Sequence, residues 1–435
     1  MYSPFLDRKG NQLNLSQLRF SHLSQLKDID EGYKIEYKST FDDSVKKKIP
    51  AIITSFANSE GGWLIIGIDD DSHDIKCIPK KRSDYNQTIS QLLKERTSPI
   101  PTFDSRFLAN PQNKNEGVLI VFVYEGHFPP YISNGTVYIR NGSSKEPIKT
   151  ERATLDYLYQ KSRRYEKSLE AFCKRTIYFP GNSYQAGVEK IVYPICNIYF
   201  KNIGFHVQKP NDYQDFFNEL KAQVCETSNS IFSSAQPTFE SIIFRHRPLD
   251  PSLLSITPTI EMFRDLSAKI HIPLSFSNDE ERDTAIQVLK NQGLACGENI
   301  KICSGVDSFN CVFGALRVVA AIYDHNKLPV SDIAVCFETE SSNNNILFFD
   351  GALFLERAKT DGLSYCSRMS SRSKIIFLKD YPGIDFDSVS RQLAYDFFLA
   401  EFGFFAADSQ QMILQALKSK YPDLFQETQQ SNISI

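Results

Sequence analysis

Three carboxylates and one ammonium are spaced near the start of the chain so that they could come together. Glu31, Glu36 and Lys38 lie in the stretch EGYKIEYKST, and Asp70 lies in WLIIGIDDD, one helical segment later. Carboxylates that converge in a partly dry site repel each other, so such clusters usually hold a cation or share protons. A hard divalent ion such as Mg²⁺ or Mn²⁺ prefers all-oxygen ligands of this kind.

This set of side chains suits the metal-dependent cleavage of a phosphodiester. Glu31, Glu36 and Asp70 would be the metal ligands, and Lys38 would hold a phosphate and stabilise the charge that builds in the transition state. The same residues also fit a solvated strand face with ordinary surface charges, and the residue pattern by itself favours that second interpretation.

The elements around these residues explain how they could meet. Residues 33–38 alternate between two kinds of side chain, which predicts a strand with its charged residues on one face. Residues 63–71 are a continuous apolar run that ends in three aspartates, which predicts a buried strand. The segment between them has helical spacing, with Asp42 or Asp43 as the cap and Gly61-Gly62 at the end. Because one helix joins the two strands, we expect them to share a sheet.

The length and the charge distribution indicate two domains. A chain of 435 residues is too long for one ordinary core, and we place the boundary between residues 1–165 and residues 166–435. The first part carries 24 Lys and Arg against 20 Asp and Glu, whereas the second carries 25 against 32. A mildly basic first domain permits a polyanionic partner without establishing one.

The pattern of the second part predicts a mixed α+β domain, and its sequence does not indicate a function. Apolar runs predict strands at residues 191–200, 240–247, 333–339, 346–355 and 374–381, and helical spacing predicts helices at residues 212–232, 281–293 and 389–403. The first part adds a helix at residues 86–95, strands at 117–126 and 136–140, and a closing helix at 150–165.

The nine cysteines predict a reduced, intracellular protein. They lie singly, without a C-x-x-C pair, and the chain opens with no signal peptide pattern, so we expect a cytoplasmic location. Apolar stretches such as VLIVFVY are too short to cross a bilayer. A zinc site from Cys296, Cys303 and Cys311 is conceivable, but their spacing fits buried free thiols better.

Basic residues form clusters that could follow a nucleic-acid backbone, although each cluster alone is more often a solvated face. The segment RNGSS could hold a phosphate through its backbone amides, or could be a turn that leads into a capped helix. The candidate nucleic-acid contacts are Lys46, Lys47, Lys48, Lys80, Lys81, Arg82, Arg140, Ser143 and Ser144, with Arg163 and Arg164 as a further basic pair.

Four blocks of sequence resemble the Schlafen AlbA-type domain. They are E-x4-E-Y-K at residues 31–38, SFANSEGG at 55–62, WLIIGIDD at 63–70 and YIRNGSS at 138–144, in the order in which the family has them. The resemblance covers about residues 25–165 and implies an α/β (α+β) fold for this part.

The resemblance also implies a function. In vertebrate members that cleave tRNA and rRNA, the matching carboxylates are catalytic, and they correspond here to Glu31, Glu36 and Asp70. Many bacterial members carry the same carboxylates but are described only as nucleic-acid binding proteins or regulators. The motif therefore implies the site more firmly than it implies cleavage.

Two departures from the nuclease members shape the expected assembly. Those members use two AlbA-like lobes and a structural zinc site, whereas residues 166–435 contain no second E-x-K strand and no matching Cys/His group. We therefore expect a homodimer or a higher homo-oligomer, in which another copy supplies the second lobe. By analogy with multidomain relatives in antiviral defence, the second part could be a sensor or regulatory domain.

The leading hypothesis is a Schlafen-like, divalent-metal-dependent endoribonuclease that acts on structured RNA such as tRNA. The competing hypothesis is a non-catalytic regulator that binds DNA or RNA with the same domain. A protein-interaction module with a vestigial cleft is a third hypothesis.

Overall fold

The computed structural model divides the chain into two compact units, Met1–Ser168 and Leu169–Ile435, which we call unit 1 and unit 2. The residues that it describes are 2–80, 84–141, 144–147, 151–174, 194–204, 213–227, 232–245, 258–276, 278–294, 300–404 and 406–421. Both units mix helices and strands, which confirms the predicted fold class.

Unit 1 is built from short strands around three helices. Its strands are β1 (Ile35–Lys38), β2 (Gly62–Ile66), β3 (Ile78–Pro79), β4 (Thr97–Ser98), β5 (Phe103–Ala109), β6 (Glu116–Val123), β7 (Ile132–Ser133), β8 (Thr136–Asn141) and β9 (Ser144–Pro147). Its helices are α1 (Asp43–Asn58), α2 (Tyr85–Arg96) and the first part of α3 (Arg152–Phe172), preceded by two short 3-10 helices, Leu15–Gln17 and Phe20–Leu26.

The main sheet of unit 1 has the order β1-β2-β6-β3, with β5 also paired to β6. Strands β1 and β2 are joined by α1 and share this sheet, as the sequence predicted. The pair is parallel, and Glu36 is in register with Leu64. Alternate residues of β2 and β6 enter two separate cores: one lies under α1 and α2, and the other contains Trp63. β1 is an edge strand, and its polar residues Glu36 and Lys38 are in register with Leu64 and Ile66, which lie in the core under α1 and α2.

Helix α1 begins and ends as its sequence predicts. The Asp42 carboxylate accepts hydrogen bonds from the backbone N–H of Ser44 at 2.8 Å and Val45 at 3.0 Å, which caps the helix. At the other end Gly61 has φ +73°, and a Cβ atom there would lie 2.6 Å from the Val123 carbonyl oxygen. The glycine pair is thus a tight turn and a close-packing site.

Unit 2 carries an eight-stranded antiparallel sheet, β11-β12-β13-β14-β10-β16-β18 with β19 beside β16, and a parallel pair, β15-β17. These strands are β10 (Ile195–Asn202), β11 (Ser234–Pro237), β12 (Ser241–Arg245), β13 (Thr259–Phe263), β14 (Ala268–Pro273), β15 (Lys301–Ser304), β16 (Ile333–Glu340), β17 (Asn345–Phe348), β18 (Ser370–Arg372) and β19 (Ile376–Phe377). The helices are α4 (Tyr213–Thr227), α5 (Asp279–Asn291), α6 (Gly305–His325), α7 (Ala352–Asp361), α8 (Phe386–Glu401) and α9 (Ala406–Lys420).

Three parts of unit 2 differ from the sequence predictions. Of the strand predicted at 374–381, only Ile376–Phe377 is a strand, and Leu378–Asp380 forms a 3-10 helix. The apolar run at 346–355 was predicted to be one strand, but it is strand β17 followed by the start of α7. Helix α6 is long and apolar enough to cross a membrane by length and composition, and 67% of its apolar window is buried inside the structure. This degree of burial is typical of a core helix, and α6 packs against the apolar face of the large sheet.

Candidate active site

The site lies where the edge strand β1 ends beside the segment that follows β2. The backbone N–H groups of Gly67 and Ile68 donate to the Lys38 carbonyl oxygen at 2.7 and 3.3 Å, which ties the two segments together. The next residues form a tight turn, in which the Asp69 carboxylate accepts the N–H of Ser72 at 3.1 Å. Asp69 therefore closes the turn, and Asp70 is left to face Lys38.

Three carboxylates converge on the Lys38 ammonium. Its Nζ lies 2.8 Å from Asp70 Oδ2, 3.3 Å from Glu36 Oε1 and 3.6 Å from Glu31 Oε1. The four residues that the sequence singled out for chemistry are thus brought to one point. The exposed fraction of the side chain rises from 7% at Glu36 and 11% at Lys38 to 25% at Glu31 and 41% at Asp70, so the cluster opens to solvent at Asp70.

Arg140 holds Glu36 in place from the buried side. Its Nη1 lies 2.7 Å from Glu36 Oε2, and its Nη2 donates to the Gly32 carbonyl oxygen at 2.6 Å. The guanidinium also lies 4.7 Å from the centre of the Phe56 ring and has no exposed side-chain surface. The sequence suggested Arg140 as a phosphate contact, but a fully buried guanidinium that already pairs with a carboxylate positions Glu36 instead.

Asn58 and Ser59 bring Arg140 to the site, and sequence reasoning did not assign them a role. Asn58 Nδ2 donates to the carbonyl oxygens of Tyr131 and Tyr138, both at 2.8 Å, and thereby fastens the hairpin β7-β8 to the end of α1. The Arg140 backbone N–H donates to Ser59 Oγ at 3.0 Å. Both residues stand in the SFANSEGG block, so the signal that could have found them was that motif.

The surroundings raise the pKa of two members of the cluster, Glu31 and Lys38. Burial raises the pKa of Glu31, and the negative charge of Glu36 adds to this, although the Tyr37 N–H that donates to Glu31 Oε1 at 2.7 Å opposes it. Burial lowers the pKa of Lys38, but the hydrogen bond to Asp70 and the charges of Glu36 and Glu31 outweigh burial, so the net shift is upward. Lys38 therefore stays an ammonium ion.

The carboxylates have the right chemistry for a hard divalent cation, but Lys38 takes the central position. Glu31, Glu36 and Asp70 offer oxygen ligands only, which suits Mg²⁺ or Mn²⁺. Across the residues that the structure describes, no group of three His, Cys, Asp or Glu side chains is arranged to hold a metal ion as it stands. An ion at this point would have to compete with the ammonium.

The predicted nucleic-acid contacts are spread over unit 1. Lys46 pairs with Asp43 at 2.6 Å, whereas Lys47, Lys48 and Lys80 are exposed. The strand β9 includes Ser144, of which only the backbone is described, paired with Asn141. The predictions for Lys81, Arg82 and Ser143 lie outside the described residues. Arg163 and Arg164 are exposed on α3.

Comparison with known proteins identifies the domain that carries this site. Residues 31–149 match the family model described as Schlafen, AlbA_2. Among solved structures, the DIP2311 protein from Corynebacterium diphtheriae is similar at 19% identity with a TM-score of 0.21, and the match covers 27% of this chain and 25% of that chain. The chain thus spans about a quarter of the length of that relative. Residues 31–149 therefore match the Schlafen AlbA_2 domain, which confirms the resemblance seen in the sequence and indicates a nucleic-acid-related role for this part of the chain.

Proposed function

We propose that this protein binds structured RNA such as tRNA through unit 1 and cleaves it as a divalent-metal-dependent endoribonuclease. The observation that carries the proposal is the convergence of Glu31, Glu36 and Asp70 within 4 Å of the Lys38 ammonium. Such a mixture of carboxylates and a cation, partly open to solvent, is the kind of site at which phosphodiester chemistry occurs.

The charge balance of the site supports the need for a cation. Three carboxylates face two positive groups, Lys38 and Arg140, so the cluster keeps an excess negative charge that would repel a phosphate. Mg²⁺ or Mn²⁺ held by Glu31, Glu36 and Asp70 would reverse that charge, polarise a phosphate oxygen and lower the pKa of a bound water molecule. Lys38 would then be released from the carboxylates to pair with the phosphate.

The protein side chains have distinct tasks in this proposal. Arg140 holds Glu36 in one orientation, so that the carboxylate does not turn away when the charge of the site changes. Burial raises the pKa of Glu31, and a bound divalent cation would oppose that shift and keep the group ionised as a metal ligand. Glu31 Oε1 accepts the Tyr37 N–H, which fixes the orientation of the carboxylate. Exposed lysines such as Lys47, Lys48 and Lys80 would bind the RNA backbone.

A non-catalytic nucleic-acid-binding regulator is the second candidate. The observation that favours it is the position of Lys38, whose ammonium already neutralises the carboxylates from the centre of the cluster. In that case the same residues form a structural ion-pair network, and the basic surface of unit 1 binds DNA or RNA without cleaving it.

The two candidates are separated by incubating the full chain with tRNA in Mg²⁺ or Mn²⁺. The nuclease proposal expects cleavage that is abolished by EDTA and by Glu36→Gln. Glu60→Gln is the matched control, since Glu60 is a surface carboxylate of the same unit that pairs with Lys34 at 2.7 Å. Retarded migration of RNA without cleavage in either metal would support the regulator. If neither RNA nor DNA is bound at low salt, both candidates fail and a protein-interaction role remains.

We also propose that the chain acts as a homodimer or a higher homo-oligomer in the cytoplasm. A second copy would supply the second lobe that a trough for folded RNA requires. Light scattering on the full chain at micromolar concentration tests the assembly, and a strictly monomeric mass would contradict it.

A further inference from the structure

Strand β5 lies at an edge of the main sheet of unit 1, where it pairs with β6 on one side. The same register continues one residue beyond each end of the strand. At one end the Tyr124 N–H donates to the Thr102 carbonyl oxygen at 3.1 Å, and at the other the Asn110 N–H donates to Glu116 O at 2.8 Å. Because hydrogen-bonded and non-hydrogen-bonded positions alternate in an antiparallel ladder, the even-numbered residues of β5 bond to β6. The backbone groups that point away from β6 are those of Phe103, Ser105, Phe107 and Ala109.

These outward backbone groups have no hydrogen-bond partner within the part of the chain that the structure describes. The opposite edge of the sheet, strand β1, is closed by its own chain. Glu31 Oε1 accepts the Tyr37 N–H at 2.7 Å, and the Gly32 N–H donates to the Ile35 carbonyl oxygen at 3.1 Å. Proteins usually shield an open edge with lysine, proline, a bulge or a short strand. Strand β5 is seven residues long, contains neither lysine nor proline and pairs with β6 without a bulge, so its edge is open to a further strand.

Two opposite charges of β5 also lack an ion pair. Asp104 and Arg106 are two residues apart, which places them on the same face of the strand, and neither forms an ion pair with another described residue. The Tyr124 hydroxyl donates to Asp104 Oδ2 at 2.5 Å. Arg106 Nη1 donates to the carbonyl oxygens of Leu15, at 3.0 Å, and Ser16, whereas its Nε and Nη2 take no part in these bonds. An antiparallel copy of β5 presents the two charges in the reverse order, so it would satisfy both.

We propose that β5 is the dimer interface of this protein, where it pairs antiparallel with β5 of a second copy about a two-fold axis at Ser105. The proposal identifies the surface through which the homodimer proposed above assembles, and it rests on that assembly. In this register Ser105 lies opposite Ser105 of the second copy, and Asp104 lies opposite Arg106. Phe103 lies opposite Phe107. The outward backbone groups of these odd-numbered residues then form hydrogen-bonded pairs across the axis, and the two main sheets become one continuous sheet.

The side chains on both faces of β5 favour this register. Phe103 and Phe107 are partly buried at the border of the core under α1 and α2, and Phe107 stacks on Tyr85 with ring centres 5.5 Å apart. Each phenylalanine would cover the partly exposed ring opposite to it, which extends that core across the interface. An axis at Asp104 or at Arg106 would instead place two like charges directly opposite each other, which is unfavourable. The axis at Ser105 pairs the unlike charges.

A cysteine introduced at the axis tests the interface. In a hydrogen-bonded pair the two Cα atoms are about 5.5 Å apart, a separation that a disulfide spans. The full chain with Ser105→Cys, mildly oxidised, should therefore form a dimer that dithiothreitol releases, with the linkage between the two copies of position 105 identified by mass spectrometry. Ala109→Cys is the matched control on the same edge, because position 109 lies opposite position 101 of the second copy and far from its own counterpart. Linkage at position 105 that is no more frequent than linkage at position 109 would overturn the proposal.

Charge reversal tests the register. Asp104→Arg and Arg106→Asp each place like charges opposite each other in their own homodimers. Each variant should therefore raise the dimer dissociation constant, measured by light scattering, at least about 10-fold. Mixing the two variants restores unlike charges at both facing pairs, so the mixed dimer should form as readily as the unsubstituted dimer. No gain in association on mixing would overturn the register.

The outcomes separate this interface from the assembly on which it rests. A dimer of the unsubstituted chain that neither charge variant weakens would overturn the β5 interface alone, whereas a strictly monomeric unsubstituted chain would overturn the interface and the homodimer together. Fluorescence of the buried Trp63 checks that each charge variant is folded. If one of them does not fold, the Ser105→Cys linkage decides, because that variant keeps both charged residues.

Discussion

The buried ion pair between Arg140 and Glu36 should be the interaction that contributes most to the stability of the site. Glu36 is 5% exposed and Arg140 is 3% exposed, and their closest atoms are 2.7 Å apart. Arg140→Met removes the guanidinium while it keeps an aliphatic side chain over Phe56. Loss of one partner from a buried ion pair destabilises a protein by about 3–5 kcal/mol, because the other charge stays buried. The Gly32 carbonyl oxygen also loses a donor, which costs about 1 kcal/mol more.

The chain provides its own reporter for this experiment. Trp63 is its single tryptophan, and it lies fully buried in a core of unit 1. Urea unfolding followed by tryptophan fluorescence therefore measures the stability of the unit that holds the site. Lys34→Met is the matched control, because Lys34 directly precedes β1 and its ion pair with Glu60 is partly exposed. This pair should contribute less than about 1 kcal/mol.

A double-mutant cycle isolates the interaction itself. Arg140→Met combined with Glu36→Gln should cost less than the two single substitutions together, with a coupling energy of about 1–3 kcal/mol. If Arg140→Met lowers the free energy of unfolding by no more than the Lys34→Met control, or if the coupling energy is near zero, Arg140 does not anchor Glu36 and the assigned positioning role is refuted.

Three further predictions follow from particular contacts. Lys38→Gln should strengthen Mn²⁺ binding measured by calorimetry, because it removes the cation that competes for the carboxylates; unchanged or weaker binding would place the metal elsewhere. Asp42→Ala should lower the free energy of unfolding of unit 1 by about 1 kcal/mol through loss of the α1 cap, and an unchanged fluorescence midpoint would contradict this. Asp265→Asn should destabilise unit 2, as followed by circular dichroism. Burial raises the pKa of Asp265, but the charge and hydrogen bond of Lys201, 2.6 Å away, together with hydrogen bonds from Ser267 outweigh burial, and the net shift is downward. The contribution of Asp265 is therefore present above its unfolded pKa of 3.8 and is lost as the pH falls through the folded value. The difference between the variant and the unsubstituted chain should shrink in acid, and a difference that grows there would contradict the sign.

The sequence was most informative where local pattern and topology agree. Alternation in residues 33–38, the cap at Asp42 and the glycine turn predicted two strands that share a sheet and are joined by one helix. In the structure the two strands are parallel, and the register of Glu36 with Leu64 brings their ends together. The meeting of Glu31, Glu36 and Asp70 at Lys38 follows from the pairing of these two strands. It could therefore be predicted from one continuous stretch of sequence, without any contact to a distant part of the chain.

The role of Arg140 could not be obtained in the same way. The guanidinium reaches Glu36 because Asn58 fastens a distant hairpin to the end of α1, and no periodicity reports a contact between residues so far apart in sequence. An arginine next to Asn-Gly-Ser-Ser is equally typical of a phosphate-binding turn, and only its burial separates the two roles.

In unit 2 the sequence predictions failed where apolar segments lack a clear strand or helix periodicity. A short apolar run does not distinguish a strand from a buried helix, so the predicted strand at 346–355 hid the change to α7 after Gly351. Helix α6 was missed for a related reason. Its buried residues occupy most of its circumference, which removes the polar face that marks an amphipathic helix.

Two neighbouring aspartates provide the most direct test of the central claim that the carboxylates around Lys38 act on RNA. Asp70 pairs with Lys38 at 2.8 Å, whereas Asp69 closes the adjacent turn. In a tRNA cleavage assay with Mn²⁺, Asp70→Asn should lower the cleavage rate by at least about 100-fold, and Asp69→Asn should lower it far less. Full activity of Asp70→Asn, or an equal loss in both variants, would contradict the account.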